Sequence, residues 1–215
     1  MKKVFLFLTV LIMSCNDAAP EQHQTFDRTL FLDNYASTFI QPGFSLLNEK
    51  VQDLNSVVQS SNNVEDVEAV QKAWRDAYIA FLDVTLFNFG PAGEETLRKS
   101  MVEEIALFPV SIQKVEERIA NGNNSTSDFD RDARGFMAIE YLIYSGVQTN
   151  QIKRLEYLKS ISTHLATEVE RIANEWSSFK QEFVSNDGTA AGSSTSVFYN
   201  EFVKSFEALK NFKLG

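Results

Sequence analysis

The sequence predicts an all-α fold, an up-and-down helical bundle, on the strength of three observations. Apolar residues recur at intervals of three and four over most of the chain, which is the spacing of one helix face. No stretch alternates apolar and polar residues as a half-buried strand does. The 215 residues are 44% hydrophobic and 12% aromatic with only 9 Gly and 4 Pro, so the chain is globular and long enough to bury a core.

The first 14 residues predict a bacterial lipoprotein signal peptide. Lys2 and Lys3 precede a ten-residue apolar run, Val4 to Met13, which is too short to span a hydrocarbon core of about 30 Å. The segment Ile12-Met13-Ser14-Cys15 matches a lipobox, and residues 15–25 then predict a polar tether. We therefore expect Cys15 to carry the lipid that anchors the chain in the bacterial envelope, at the outer membrane or the periplasmic face. The alternative is an ordinary secretory signal with Cys15 near its cleavage point.

Residues 26–215 predict one helical domain with a Gly/Ser/Thr-rich linker over 186–196. A break or kink is expected at Gln41-Pro42-Gly43, because proline removes a backbone donor. Trp74 and Trp176 lie on apolar stripes and are expected in the core. The predicted helices run over Phe26 to Asn62, Val67 to Gly90, Glu95 to Phe108, Val110 to Ala120, Asp130 to Tyr144, Gln151 to Val184 and Val197 to Lys213.

Charge and composition exclude several classes of function. The formal net charge of −9, from 29 acidic and 20 basic residues, argues against a nucleic-acid partner. One Cys excludes an internal disulfide, and two His exclude a site built from three imidazoles. The chain has no Gly-rich phosphate loop and no nucleophile elbow, so nucleotide chemistry and serine hydrolysis have no support.

The helix that contains Gly135 carries the most informative motif, Arg134-Gly135-Phe136-Met137-Ala138-Ile139-Glu140-Tyr141. It resembles the signature of imelysin-like proteins, Gly-x-His-x-x-Glu followed by aromatic and aliphatic residues. Two further segments resemble that family in order and spacing: Phe87-Asn88-Phe89-Gly90-Pro91-Ala92 and Leu107-Phe108-Pro109. Trp74, with the aromatic residues that follow it, lies where the family carries its tryptophan helix. The resemblance covers about half of the chain.

Several properties are implied by this resemblance. It implies an α-helical envelope protein of a family classed with metallopeptidases and linked to iron uptake, and a chain that corresponds to the first helical bundle and the start of a second. The chain is then either a shortened paralogue or a fragment of a longer reading frame. The family's His and Glu lie three residues apart on one helix face, so both reach one metal.

The sequence departs from the family motif at one position. Met137 stands where the family has His, while Gly135 and Glu140 match. A thioether is no general base and is a poor ligand for zinc or ferric iron, so we expect no catalytic residue here. Glu140 is the one candidate ligand for iron or another divalent metal.

Plain structural roles compete with the functional ones. Met137 is expected to fill the core, Glu140 to pair with Arg134 or a base from another helix, and Gly135 to mark a close helix contact. His164 and Glu168 share one helix face and are expected to be a solvated surface pair. The acidic pairs are expected on wet helix faces: Glu94-Glu95, Glu103-Glu104 and Glu116-Glu117.

Three hypotheses about function follow. The first is a lipid-anchored imelysin-like protein that binds iron or haem and cleaves nothing. The second is an envelope metallopeptidase, against which Met137 weighs. The third is a structural or interaction module with a decayed metal site, which pairs with an envelope protein or with itself through an exposed apolar face.

Overall fold

The computed structural model describes residues 26–62, 67–96 and 98–213. Within these ranges there is no β-strand, and the predicted all-α class is confirmed. The predicted signal peptide, Cys15 and the tether lie outside the described residues. The α-helices are α1 (Arg28–Tyr35), α2 (Gln41–Ser60), α3 (Val67–Val84), α4 (Met101–Ile105), α5 (Ile112–Asn121), α6 (Gly135–Tyr144), α7 (Gln151–Ser185) and α8 (Ser194–Ala208).

The core lies between α2, α3, α6 and α7. Helix α2 packs extensively against both α3 and α7, and α6 closes the remaining side of α3 and α7. Helices α2, α3 and α7 each bury one stripe, as their periodicity predicts, whereas α6 is buried on most of its sides. On α2 the stripe is Phe44, Leu47, Val51, Leu54 and Val58, and the core of the described chain extends from Leu32 to Phe183. Both tryptophans, Trp74 and Trp176, are buried as expected.

The segment at Gln41-Pro42-Gly43 differs from the prediction. The helical path does not break there, because a π-helical turn over Ala36–Ile40 precedes it. The Gln41 N–H bonds to the Ala36 carbonyl, five residues back. Pro42 follows directly within the first turn of α2, where its missing N–H costs least. A single wide turn thus accommodates a proline that sequence rules read as a breaker.

The prediction of a helix over Glu95 to Phe108 is wrong for most of that segment. Only α4, Met101–Ile105, is helical. Glu95 and Arg98 instead exchange two backbone hydrogen bonds across a tight turn. Thr96 within that turn has a φ of +55°, and this left-handed backbone cannot continue a right-handed helix.

Two further boundaries differ from the prediction. The segment Asp128–Ala133 is a 3₁₀ helix, and Arg134 is extended before α6 begins at Gly135. The predicted linker 186–196 is irregular only as far as Ser193, which caps α8 by accepting a hydrogen bond from the Ser196 N–H. No helix in the described ranges combines the length and the apolar character needed to cross a membrane.

Candidate functional site

Gly135 fixes the start of the motif helix. Its φ is +75°, a conformation that only glycine adopts at low cost. A Cβ at this position would overlap the carbonyl oxygen of Ile105, at the end of α4. The expected close contact is therefore present, at the first residue of α6 and against backbone. Both the conformation and the contact require glycine, so Gly135 has a structural role that involves no ligand.

The motif positions Met137 and Glu140 share one face of α6 with Tyr144, because the three residues are three and four residues apart. Helix α3 contributes Trp74 and Tyr78 beside this face. The Trp74 and Tyr78 rings are stacked with centroids 5.0 Å apart, and Trp74 meets Tyr144 edge to face at 5.9 Å. We call these five residues the Glu140 site. It combines a carboxylate, two phenols, a thioether and an indole.

The position of the Glu140 site is fixed by one buried hydrogen bond. The Trp74 indole N–H donates to the Phe136 carbonyl oxygen at 3.0 Å, which joins α3 to the first turn of α6. At the other end of the site, Arg75 Nη1 donates to the Tyr144 hydroxyl at 3.2 Å. The two bonds hold α3 and α6 in register over two helical turns, so the site rests on rigid elements.

Met137 and Glu140 differ in exposure. Met137 is only 8% exposed and belongs to the core, as the structural interpretation expects. Glu140 is half-buried. Burial, together with the Glu140 carboxylate, raises the pKa of the Tyr78 phenol. Glu140 and Tyr78 therefore lie in the same region of the α3–α6 interface.

The expected ion pair between Glu140 and Arg134 is absent. No ion pair among the described residues includes Glu140. Arg134 is 2% exposed, and its Nη2 lies 2.5 Å from Glu104 Oε2. The extended backbone at Arg134 directs its side chain toward α4, away from the face of Glu140. Glu140 therefore keeps its carboxylate uncommitted to the bases of the described chain.

Two carboxylates that the sequence predicts on solvent-exposed helix faces instead form ion pairs with arginines. Glu104 is 5% exposed and accepts from Arg131 Nε at 2.7 Å as well as from Arg134. Glu116 accepts from Arg154 and from the Tyr141 hydroxyl at 2.7 Å. Burial opposes ionisation of Glu116, but these two donors hold its pKa below the ordinary value. Both clusters connect helices and are structural.

The pair His164 and Glu168 is likewise no surface patch. Glu168 bonds to Arg171 Nε at 3.2 Å, and His164 is half-buried. Burial and the positive charge of Arg134 lower the pKa of the His164 imidazole, which keeps it neutral at pH 7. The two residues do not form a two-ligand site.

A separate groove of about 1050 Å³ lies between the Gly90-Pro91 turn, α7 and α8. Its charged lining consists of Arg98 and five carboxylates, Glu94, Glu95, Glu175, Glu182 and Glu201. Arg98 pairs with two of these acids, Glu95 and Glu175. The motif residues do not line this groove. It is therefore distinct from the Glu140 site.

The metal site at Glu140 stays a prediction. Among residues 26–62, 67–96 and 98–213, no three His, Cys, Asp or Glu side chains cluster closely enough to hold an ion. The oxygen-bearing side chains of the Glu140 site are Glu140, Tyr78 and Tyr144, and the Met137 thioether is buried. From sequence, Tyr78 is one of the aromatic residues that follow Trp74 on the predicted tryptophan helix, and nothing marks it as a site residue. Its spacing of four from Trp74 was the one available sign that it faces α6.

Comparison with known proteins assigns the family. The peptidase M75 model, described as imelysin, matches residues 40–215. No curated protein matches the chain. An imelysin-like protein from Psychrobacter arcticum 273-4 superposes with a TM-score of 0.69 at 15% identity, over 86% of this chain and 61% of that one. A putative iron-regulated protein A precursor from Parabacteroides distasonis ATCC 8503 superposes with a TM-score of 0.65 at 18% identity, over 78% and 52%.

These relationships show the fold and the family together. The chain spans little more than half the length of the two structures it matches. The family match covers both the motif helix and the Gly90-Pro91 turn. The chain therefore belongs to the imelysin family.

Proposed function

We propose that this protein is a lipid-anchored envelope member of the imelysin family that binds iron or haem and does not cleave peptides. The observation that carries the proposal is the buried thioether of Met137 at the motif's His position, beside the uncommitted carboxylate of Glu140. A thioether is a poor ligand for zinc or ferric iron, so this face lacks the imidazole that would share a catalytic metal with the Glu140 carboxylate. Binding needs no such group.

The donors at the Glu140 site fit iron better than zinc. Glu140 and Tyr78 offer hard oxygens, and tyrosine and methionine are both known axial ligands of haem iron. Trp74 and Tyr144 add flat aromatic surface on the same face. An iron centre bound there would supply a Lewis-acidic or redox-active ion. The chain's own part is to hold it through Glu140 and Tyr78 and to shield it with the aromatic rings.

Two further points support the choice of iron. The Parabacteroides distasonis structure is named as a putative iron-regulated protein A precursor. The lipobox ending at Cys15 would keep the protein in the envelope, where imported iron compounds first arrive. Neither point identifies the ligand by itself, so the test compares a free ion with haem.

Binding is tested by titrating the chain from Asn16 onward, which contains every described core residue, with ferric citrate and separately with haem. We expect one of the two probes to bind, and Glu140→Gln to weaken that binding about tenfold or more through loss of a charged oxygen donor. Glu117→Gln is the matched control, because Glu117 is exposed on α5. Circular dichroism verifies that the variants remain helical.

The two probes separate the sources of iron. Binding of ferric citrate alone assigns the site to an ion or its chelate, and binding of haem alone assigns it to a porphyrin. Absence of binding by both, or equal losses in Glu140→Gln and Glu117→Gln, would overturn the proposal and leave the interaction module as the better description.

A further inference from the structure

Helix α8 carries an exposed apolar stripe that nothing in the described chain covers. The stripe consists of Tyr199, Phe202, Phe206 and Leu209, each between 42% and 65% exposed. Their spacing of three, four and three residues is the spacing of a helix that packs against another helix. Helix α8 contacts α1 and the turn at Thr85–Phe87, and Phe198 makes the aromatic contact with α1. Among the described residues the stripe is therefore a further packing face that has no partner.

The stripe adjoins an aromatic ladder on α1 and the π-helical turn. Phe198, one residue before the stripe, packs against Phe31 and Tyr35 with ring centroids 5.9 and 4.6 Å apart. Phe26 and Phe39 extend the ladder in both directions, at 5.4 Å from Phe31 and 5.1 Å from Tyr35. Both end members are more than half exposed. The apolar surface thus continues from α8 onto α1.

The area of this surface suits association of two copies. At about 200 Å² for each fully exposed aromatic side chain, the exposed fractions amount to roughly 600 Å² per chain. Monomeric proteins seldom expose a larger patch than this. Two copies joined through it would bury about 1,200 Å², which is the lower end of specific protein interfaces.

Charge also favours a second copy at this surface. The chain carries a net charge of −9, so two copies repel each other over most of their surfaces. Residues 194–210, in contrast, contain two acids and two bases, Glu201, Glu207, Lys204 and Lys210. This segment is neutral by formal charge, so it adds no net repulsion between two acidic chains.

We propose that the chain forms a two-fold dimer in which the α8 stripe and the adjoining α1 ladder of one copy cover those of the other. A two-fold axis pairs the same patch on both copies, so one apolar surface suffices. The interface at this size is of moderate strength, with dissociation expected in the micromolar range, on the order of 1–10 µM.

Sedimentation equilibrium of the chain from Asn16 onward, between 1 and 100 µM, tests the dimer. We expect Phe202→Ser with Phe206→Ser to raise the dimer dissociation constant about tenfold or more, because aromatic anchors carry most interface energy. Both side chains are exposed, so the helical circular dichroism signal should not change. The matched control is Phe129→Ser with Ile152→Ser, two apolar residues 91% and 78% exposed and outside the stripe.

Every outcome decides the proposal. A dimer weakened by the stripe variant and unchanged in the control supports it. A monomer at all concentrations overturns it and leaves the stripe to another occupant. A dimer that the control variant weakens instead places the interface elsewhere and also overturns it.

Discussion

At the scale of single residues, Gly135 and Met137 account for most of what distinguishes this chain. Gly135 allows α6 to begin against the Ile105 carbonyl. This contact fixes where each later motif residue lies along the axis of α6. Met137 then places sulfur and carbon where the family motif has an imidazole. The backbone geometry of the motif is therefore retained while its chemistry is changed.

Replacement of Gly135 by alanine tests the geometric part of this description. Gly135→Ala incurs the left-handed backbone penalty of about 1–2 kcal/mol and forces the Ile105 carbonyl to move, so we expect a total loss of about 3 kcal/mol or more in unfolding free energy. Gly146→Ala is the control, because Gly146 has a φ of +67° with no atom within 4 Å of the added Cβ. Urea denaturation of both variants measures the difference, and equal losses would disprove the contact.

At the scale of elements, the long helices can be predicted from the local spacing of apolar residues. The short helices depend on contacts with residues far away in the sequence. The periodicities of α3 and α7 predict these helices to within a few residues, because each buries an unbroken stripe. Glu104 and Glu116 show the limit of local reasoning. Their arginine partners follow 27 to 38 residues later, so no local pattern indicates that the carboxylates are held.

The Glu140 site shows the same division between local and distant information. The spacing of Met137 and Glu140 places both on one face from sequence alone. The presence of Tyr78 beside them depends on how α3 packs on α6, which is a tertiary contact that the pattern does not specify. The π-helical turn before Pro42 escapes prediction for another reason, since one changed hydrogen-bond register removes the expected break.

The contact between α5 and α7 gives a prediction at this scale. Arg154 is 1% exposed and binds Glu116, so Arg154→Met leaves a partly buried carboxylate without its base. We expect a loss of about 2–4 kcal/mol in unfolding free energy at pH 7. Lys72→Met removes an exposed pair with Asp76 and should cost less than about 1 kcal/mol.

The loss at Arg154 should also depend on pH. The pKa of Glu116 is lowered in the fold, so the pair stabilises the protein above the ordinary value of 4.5, and that stabilisation disappears as pH falls through the lowered pKa. The difference between the native chain and Arg154→Met should therefore shrink between pH 7 and pH 3. Chemical denaturation at both values measures it. A difference of equal size at both would show that the carboxylate is not the partner that matters.

At the scale of the whole molecule, the chain has a well-packed bundle and two surfaces that the bundle itself does not need. The Glu140 site is formed by α3 and α6, and the apolar surface is formed by α8 and α1. The two surfaces therefore share no helix. The proposed ligand binding and the proposed self-association are therefore separable by mutation. We expect Glu140→Gln to affect the first and the Phe202 and Phe206 variant the second.

A peptidase assay tests most directly the central claim that this imelysin-family chain binds without cleaving. The chain from Asn16 onward is incubated with an unfolded, fluorescently labelled polypeptide and with zinc or iron, beside Glu140→Gln and the Glu117→Gln control. With the Met137 thioether in place of the imidazole ligand, the native chain should release no more label than Glu140→Gln. Cleavage that requires metal, stops with a chelator and disappears in Glu140→Gln but not in Glu117→Gln would contradict the claim.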